Sequence, residues 1–485
     1  MRFSRLFPMT LLLLLLAFAG TAQEVVYSPY DKFDFRTDDY EVVGMTGDYN
    51  YTYRSSGENH MLDAFDDSMN KVATIILDFF PAKIYKTQFI SYPDKIIVLY
   101  QALERNTVIQ YAAFLDQKGR LRGKPLELGS VKTGIFGAMK NYFFTEISED
   151  KKNILVYTFN DKASGIDFDC KWLDDSLKLV KRSRVNFRSD KQTSSARVAI
   201  SNSGTVYVCA YTTTGAQNNA DNFWILTLKQ GDTKFTAHPL QLEGRFAANG
   251  FSRVDNVNNK IYFGGFYTDR KNGSYEGIIY AAFNTLKDEY EVQKYIPFDA
   301  QLRASGGLND RNNAFDNYMV KQLIVKNDGG FVMVSEMTYV TSRSSYAPGI
   351  GYYSNFYSPY NTTTVREYHY NDIMSISYDK NGTREWTSVI PKEQYSQEDG
   401  GIFSSYLLLN TGGSIGFLYN DFNSRRSRIQ FSIVDEAGQT RTNSFAMEGK
   451  DAPDWLPKKG KQVGGRTLII PCLHKRQICF AKVVF

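Results

Sequence analysis

One short turn recurs after apolar runs in widely separated parts of this sequence. Asp-x-x-Gly follows an alternating apolar run in "FLDQKGRLRG" (114–123), "SYDKNGTREW" (377–386) and "IVDEAGQTRT" (433–442). An Asp at the first turn position accepts backbone hydrogen bonds, and a Gly three residues later can adopt the left-handed conformation that closes a hairpin. The recurrence predicts that one hairpin turn is built repeatedly, in a chain of repeated β units.

Eight apolar runs are each preceded by turn-forming residues, such as "SNSG", "NDGG" or "NTGG". Gly, Asn and Asp tolerate positive φ and are typical of tight strand connections. Most runs start about 50 residues apart, close to the roughly 40 to 50 residues of a four-stranded propeller blade. They lie at residues 49–54, 96–100, 154–159, 206–211, 261–266, 331–336, 415–419 and 467–471.

We therefore predict an all-β fold, a single β-propeller domain of four-stranded antiparallel blades over residues 23–485. Each apolar run is the second strand of its blade, and Asp-x-x-Gly is the turn from the third strand to the fourth. Eight runs predict eight blades, with seven as the alternative count. The last unit, 464–485, is too short for a fourth strand, so we expect segment 24–35 to complete it. Pairing of the N- and C-terminal strands would close the ring and remove its exposed edges.

These features resemble the degenerate blade repeats of secreted bacterial β-propellers, over nearly the whole chain. "SYDKNGTREW" is also similar to the Asp-box turns of sialidase-like glycosidases, although it is longer before its Gly and its Trp. That second resemblance implies a carbohydrate-active hydrolase, which needs a carboxylate pair on its ligand face. Asp310 and Asp316, or Glu398 and Asp399, lie in loops that could supply such a pair.

Residues 1–22 have the pattern of a secretory signal peptide. Arg2 and Arg5 precede an apolar core from Met9 to Phe18, and small residues follow up to Ala22, where cleavage is expected. The apolar core is roughly 10 residues long, too short to span a bilayer. We expect an exported protein, periplasmic or extracellular, monomeric and without a transmembrane segment.

Charge and motifs exclude several classes of function. The chain has 57 Lys and Arg against 52 Asp and Glu, a balance that gives no argument for nucleic acid binding. Its four histidines are scattered, and no Cys-x-x-Cys or His-x-x-x-His pair exists for zinc. His369, between Glu367 and Asp372, is interpreted as a solvated loop residue and not as a metal ligand. We predict no catalytic residues, no metal and no cofactor.

The cysteines are too few to form a disulfide framework. Cys472 and Cys479 lie symmetrically about Lys475 and Arg476, which in a hairpin places them opposite one another. They are predicted to form either a disulfide or a pair of buried thiols.

One face of the propeller is expected to carry the function. The second-to-third turns and the connections between blades share a face, called here the long-loop face. Nearly all irregular length falls there, and variable loops on a rigid scaffold are the usual place for binding. These loops are 129–141, 299–317, 392–401, 448–461 and, longest, the Tyr-rich insertion 339–370.

The insertion 339–370 supplies the candidate ligand-binding residues. Tyr combines an apolar face with a polar tip, which suits a sugar ring or a protein partner; alternatively, these tyrosines pack on one another to hold a long loop. We predict a secreted, non-enzymatic binding or scaffold propeller that recognises a protein or glycan, with a hydrolase or a structural cell-envelope component as alternatives. The candidates are Arg343, Tyr346, Tyr352, Tyr353, Phe356, Tyr357, Tyr360 and Arg366.

Overall fold

The computed structural model describes residues 24–35, 37–81, 84–133, 142–162, 165–214, 219–305, 315–346, 362–422, 428–446 and 452–485. Over these residues the chain forms eight antiparallel sheets that follow one another in chain order. The first strands of most neighbouring sheets contact one another around a central channel. The structure therefore confirms the predicted all-β fold, a ring of eight propeller blades.

The strands run outward from the channel in chain order within each blade. Strands β1 (Glu24–Tyr27) and β2 (Asp31–Lys32) come first and belong to the last blade. Blade 1 contains β3 (Tyr40–Thr46), β4 (Tyr49–Ser56), β5 (Asn59–Phe65) and β6 (Lys71–Ile76). Blade 2 contains β7 (Ile84–Ser91), β8 (Lys95–Glu104), β9 (Thr107–Asp116) and β10 (Leu121–Lys132). Blade 3 contains β11 (Phe144–Ile147), β12 (Asn153–Lys162), β13 (Gly165–Asp174) and β14 (Leu179–Arg188).

The next three blades repeat this order. Blade 4 contains β15 (Thr193–Ile200), β16 (Val206–Thr212), β17 (Asn222–Leu228) and β18 (Thr236–Leu240). Blade 5 contains β19 (Phe246–Asp255), β20 (Lys260–Thr268), β21 (Gly277–Asn284) and β22 (Glu289–Pro297), and a short helix, α1 (Ala300–Ser305), follows it. Blade 6 contains β23 (Tyr318–Val325), β24 (Phe331–Tyr346), β25 (Thr362–Tyr378) and β26 (Arg384–Ile390), with β27 (Gln394–Gln397) added to β25.

The last two blades bring the chain back to its start. Blade 7 contains β28 (Tyr406–Asn410), β29 (Ile415–Asp421), β30 (Arg428–Val434) and β31 (Thr440–Ala446). Blade 8 contains β32 (Asp454–Trp455), a 3-10 helix (Pro457–Lys459), β33 (Lys461–Gly464), β34 (Thr467–His474) and β35 (Gln477–Val484). No described helix is long and apolar enough to cross a membrane.

Blade 8 is built from both ends of the chain. Its outermost position is filled by β1 and β2, which pair with β35 so that Glu24 lies opposite Val484 and Asp31 opposite Ile478. An ion pair of 3.4 Å between Asp31 and Arg54 joins this strand to blade 1. The predicted completion of the last blade by the N-terminal segment is thereby confirmed.

The hydrophobic core is divided into clusters between blades. Each of the eight clusters in the described residues joins two consecutive blades, and the one between blades 6 and 7 packs Val334 and Ile373 against Phe417 and Tyr419. A second strand is therefore buried on both faces, as is the run Ile96–Tyr100 of β8. This double burial explains why second strands read as uninterrupted apolar runs in the sequence.

The Asp-x-x-Gly turn joins the third strand to the fourth, as predicted. Asp116 accepts the backbone N–H groups of Lys118 and Arg120 at 2.9 and 3.0 Å, and Gly119 has a φ of 73°. The same turn recurs at Asp174, where Leu177 occupies the glycine position with a φ of 57°. That copy is missed in the sequence because it has no glycine.

Irregular backbone recurs on the channel side of the ring. Six first strands of the described blades carry a β-bulge, in which two residues lie opposite one residue of the second strand. A bulge bends its strand and redirects neighbouring side chains. The inserted residues are Val43, Tyr85, Ala196, Asn249, Lys321 and Val463.

The four cysteines are all buried. Cys472 lies directly opposite Cys479 in the hairpin of β34 and β35, as the symmetry of the sequence indicated. Both are free thiols in the structure, and the disulfide between them stays a prediction.

Candidate functional site

A three-stranded extension of blade 6 stands on the long-loop face. Strands β24 and β25 stay paired beyond the blade, from Thr338 opposite Tyr370 to Tyr346 opposite Thr362. Strand β27 then pairs with residues 367–370 of β25. This extension is called the ribbon, and it comprises residues 338–346, 362–370 and 394–397. Both described ends of the insertion predicted at 339–370 are thus strands.

A row of three rings crosses one face of the ribbon. The centroids of Tyr339 and His369 are 4.4 Å apart with nearly parallel planes, and His369 lies 5.1 Å from Tyr395. In the next row, Glu367 accepts hydrogen bonds from the hydroxyls of Tyr395 at 2.8 Å and Thr341 at 3.1 Å. His369 therefore packs between two tyrosines, and no group of acidic, His or Cys side chains in the described chain could hold a metal ion.

The ribbon contains three of the predicted ligand-binding residues. Arg343 and Tyr346 lie on β24, and Arg366 lies on β25 opposite Ser342. The backbone N–H of Arg366 donates to the carboxylate of Glu398. The other five candidates, Tyr352, Tyr353, Phe356, Tyr357 and Tyr360, lie outside the described residues.

The carboxylates considered for a hydrolase shape loops. Asp316 accepts the backbone N–H of Tyr275 at 2.9 Å, and Asp399 accepts the hydroxyl of Ser396 at 2.7 Å. Asp310 lies outside the described residues. Asp316 and Asp399 thus each form a hydrogen bond that holds their loop.

A buried polar network anchors the base of the ribbon. Lys392 Nζ donates to Glu336 Oε1 at 3.0 Å, to the carbonyl of Tyr370 at 2.8 Å and to Gln394 Oε1 at 2.9 Å. The other carboxylate oxygen of Glu336 accepts the hydroxyl of Ser405 at 2.8 Å. These bonds join all three strands of the ribbon to the entry of blade 7, so the ribbon is fixed where it leaves the propeller.

Charged residues of alternating sign lie on the innermost strands of five consecutive blades. They are Lys461 of blade 8, Glu41 of blade 1, Lys86 of blade 2, Glu146 of blade 3 and Arg197 of blade 4. Burial raises the pKa of Glu41 and the pKa of Glu146 to about 7, although the neighbouring cations oppose the rise. Burial also lowers the pKa of Lys461. The channel thus holds two carboxyl groups that exchange protons near neutrality.

Sequence reasoning did not identify these channel residues. The signal that could have found them is one charged residue in the first strand of each of four consecutive units, at Glu41, Lys86, Glu146 and Arg197. First strands have weaker apolar patterns than second strands, because one of their faces lines the channel. These positions therefore lie outside the repeat that the second strands define.

The fold has distant counterparts among solved structures. Prolyl oligopeptidase B from Galerina marginata is 11% identical over 90% of this chain, with a TM-score of 0.42, and the chain spans 56% of that protein's length. An ulvan lyase of polysaccharide lyase family 25 is 9% identical, with 81% of this chain and 90% of that chain covered and a TM-score of 0.40. The β-propeller domain of Nup133 from Vanderwaltozyma polyspora is 7% identical, with 82% and 99% covered and a TM-score of 0.40.

Neither a protein-family model nor a curated protein matches the sequence. At 7% to 11% identity, the structural likenesses carry no information about what this chain binds or does.

Proposed function

We propose that this protein is a binding module that captures a partner protein through the ribbon of blade 6. The observation that carries the proposal is the open edge of β24. Within the described chain, β23 pairs with β24 only as far as Met337, and no strand covers the edge beyond Thr338. An open edge is a template for an added strand, because its backbone donors and acceptors point outward.

The orientation of the edge groups follows from one bond. The N–H of Thr338 donates to the carbonyl of Asn317, on the side away from β25. Backbone groups alternate in direction along a strand, so the N–H and C=O groups of Val340 and Ser342 also point to the open edge. Val340 is 56% exposed. An extended peptide can pair with these groups and cover the Val340 side chain.

The ring geometry favours a protein over a glycan. Aromatic platforms for sugars use free ring faces, whereas His369 packs between Tyr339 and Tyr395 and covers one face of Tyr339. The stacking leaves ring edges, polar groups and the other face of Tyr339 for the partner, and Tyr and Ser are typical of protein-binding surfaces. The packing of tyrosines on neighbouring rings, which the sequence offered as an alternative, thus contributes to the rigidity of the proposed surface.

The proposal is tested with peptides and one edge variant. Phage-displayed random peptides are selected on the full chain, and their binding is measured on the wild type and on Ser342→Pro. Proline is tolerated at an edge position whose N–H faces solvent, so the ribbon stays paired while one outward donor is lost. We expect selected peptides to bind the wild type, to protect the amides of Val340 and Ser342 from hydrogen exchange, and to lose affinity for the variant.

The opposite outcome is equally clear. Peptides that bind Ser342→Pro unchanged, or selection that yields none, would contradict strand addition. A glycan array run in parallel separates the alternatives, because saturable glycan binding without peptide binding would replace the protein partner by a carbohydrate.

A hydrolase is kept as a second candidate, favoured by one observation in the channel. Glu41 and Glu146 have pKa values raised to about 7 by burial, and Lys86 of the intervening blade acts on both. Carboxyl groups of raised pKa are typical general acids. Hydrolysis of aryl glycosides by the wild type, abolished in Glu146→Gln with the fold intact, would support it, and an inactive wild type would exclude these substrates.

Export and a monomeric state belong to the same proposal. Residues 1–23 lie outside the described chain, so the signal peptide with cleavage near Ala22 stays a prediction. N-terminal sequencing of the protein recovered from the producing cells tests it, with Gln23 as the expected first residue. Light scattering of that protein tests the monomeric state.

A further inference from the structure

A cavity of about 400 Å³ lies between blades 8, 1 and 2. Its walls include Glu41 of β3, Tyr85 and Lys86 of β7, and Lys459 and Lys461 at the entry to β33. First strands begin at the long-loop face, and these residues lie at or near those beginnings. The cavity is therefore open to ligands from that side, and its volume lies within the roughly 300 to 1,000 Å³ of small-molecule sites.

Each of the three strands around the cavity carries a bulge near its lining residues. The inserted residue is Val43 in β3, Tyr85 in β7 and Val463 in β33. The Nζ of Lys461 donates to the carbonyl of Val43 at 2.9 Å, across the seam where the ring closes. Bulges redirect side chains and are common beside functional sites, and three lysines from two blades line this cavity.

The charges of the cavity favour an anion. The described lining has three lysines, Lys86, Lys459 and Lys461, against two carboxylates, Asp39 and Glu41. No ion pair within the described chain engages any of these lysines, and Lys461 uses one of its three donors on Val43. A lysine ammonium group is a compact point charge that binds carboxylate or phosphate oxygens.

Glu41 does not cancel this positive charge. Its Oε1 accepts the backbone N–H of Phe89 at 3.2 Å, and its burial favours the neutral carboxyl group near and below neutrality. A neutral Glu41 adds a hydrogen-bond donor for an anion. Asp39, the second carboxylate of the lining, is exposed to solvent.

We propose that the cavity between blades 8, 1 and 2 is a binding site for a small anion with a carboxylate or phosphate group, held by Lys86, Lys459 and Lys461. The site shares no residue with the ribbon of blade 6, so substitutions can remove binding at one without changing the other.

Calorimetric titration of the full chain tests this site at low ionic strength. The probes are glycerol 3-phosphate and malate, with glycerol as the uncharged control. We expect saturable binding of at least one anion and none of glycerol. Binding of glycerol 3-phosphate alone would assign a phosphate site, and binding of malate alone would assign a carboxylate site.

Variants at single lysines locate the binding. Lys86 is exposed and acts on Glu41 and Glu146 through its charge, so Lys86→Gln should leave the fold intact, as checked by circular dichroism. One contact between an ammonium group and an anion contributes about 1 kcal/mol in water, so Lys86→Gln should lower the affinity for the anion about fivefold. Lys118→Gln, in an exposed turn on the opposite face, is the matched control and should bind as the wild type does.

Two results would overturn the site. One is the absence of saturable binding for both anions. The other is an affinity that Lys86→Gln leaves equal to that of Lys118→Gln.

Discussion

The Nζ of Lys392 lies 3.0 Å from Oε1 of Glu336, and the two side chains are 1% and 0% exposed. Removing one partner of a buried ion pair costs about 3 to 5 kcal/mol, and without Lys392 the carboxylate of Glu336 keeps a longer contact of 3.8 Å with Lys321. We therefore expect Lys392→Met to lower the free energy of unfolding by about 3 to 5 kcal/mol, measured by urea titration. The double variant with Glu336→Leu should recover part of that loss.

The surface pair of Lys326 and Glu385 is the matched control. It is partly exposed, so Lys326→Met should cost about 0 to 1 kcal/mol. Equal costs for Lys392→Met and Lys326→Met would show that the anchor of the ribbon contributes no more than a surface contact.

Val340→Lys should abolish peptide capture by the ribbon. Its side chain is 56% exposed at the open edge, and a lysine on an edge strand disfavours the addition of another strand. The control is Val72→Lys on the outer strand of blade 1, where Val72 is 49% exposed. Affinity for a selected peptide is compared in the two variants, and equal loss in both would point to a general charge effect.

Stability should fall as the pH rises toward neutrality, because of Glu41. Its pKa is about 7 in the folded protein and about 4.3 in an unfolded chain. The folded state binds this proton more tightly, so the free energy of unfolding decreases between those two pH values and is constant above the higher one. Lys461 and Lys86 act on Glu41, and Glu41 acts on Tyr53; Asp39 lines the same cavity.

Glu41→Gln removes that titration and should stabilise the protein more at pH 8 than at pH 5, as read from melting temperatures. Glu58→Gln, in an exposed turn of blade 1, should give the same small change at both values. A gain from Glu41→Gln that does not depend on pH would contradict the raised pKa.

Gly438→Ala should destabilise the fold more than Gly57→Ala. Both glycines have positive φ, 76° and 61°, and a side chain in this conformation costs about 1 to 2 kcal/mol. A Cβ at Gly438 would lie 2.7 Å from the ring of Trp386, whereas a Cβ at Gly57 would meet nothing. The difference between the two free energies of unfolding measures the contact alone, and a difference of zero would show that Trp386 moves freely.

If the protein is exported as proposed, Cys472 and Cys479 are expected to form a disulfide, one of the two states that the sequence predicts. Residues directly opposite in a hydrogen-bonded antiparallel pair have Cα atoms about 5.5 Å apart, and disulfides span about 4.4 to 6.8 Å. Alkylation under denaturing, non-reducing conditions followed by peptide mapping should yield one cross-linked hairpin peptide. Recovery of both cysteines in alkylated form would identify them as buried thiols.

The sequence revealed the ring because its strongest signals are local. Second strands such as 331–336 are buried on both faces, so their apolar character needs no knowledge of the partner blade. Asp379 and Gly382 form their turn through bonds within five residues. The apolar second strands and the Asp-x-x-Gly turns both depend only on residues close in sequence, so both can be recognised even when the blades differ in length.

The candidate sites depend on contacts that no local pattern contains. Lys392, in the connection between β26 and β27, contacts Glu336 of β24, and Lys461 contacts Val43 across the closure of the ring. The bulge at Tyr85 is a shift in the register between β7 and β8. The apolar periodicity of β7 does not predict that shift, because one face of the strand is not packed against another blade. The ribbon was predicted as a loop insertion because its polar strands lack the apolar alternation of a buried sheet.

The pairing of Glu24 with Val484 also orders the events of biosynthesis. Strand β1 is made first among the described strands, yet its partner β35 is made last, so seven blades can assemble before the eighth is complete. During translation, β1 stays unpaired until β35 has been made. Pairing β1 with β35 closes a loop that contains the seven other blades, and the entropic cost of that closure is offset only by the contacts of the completed blade. A fluorescent label placed before Glu24 would therefore report on the pairing of β1 with β35.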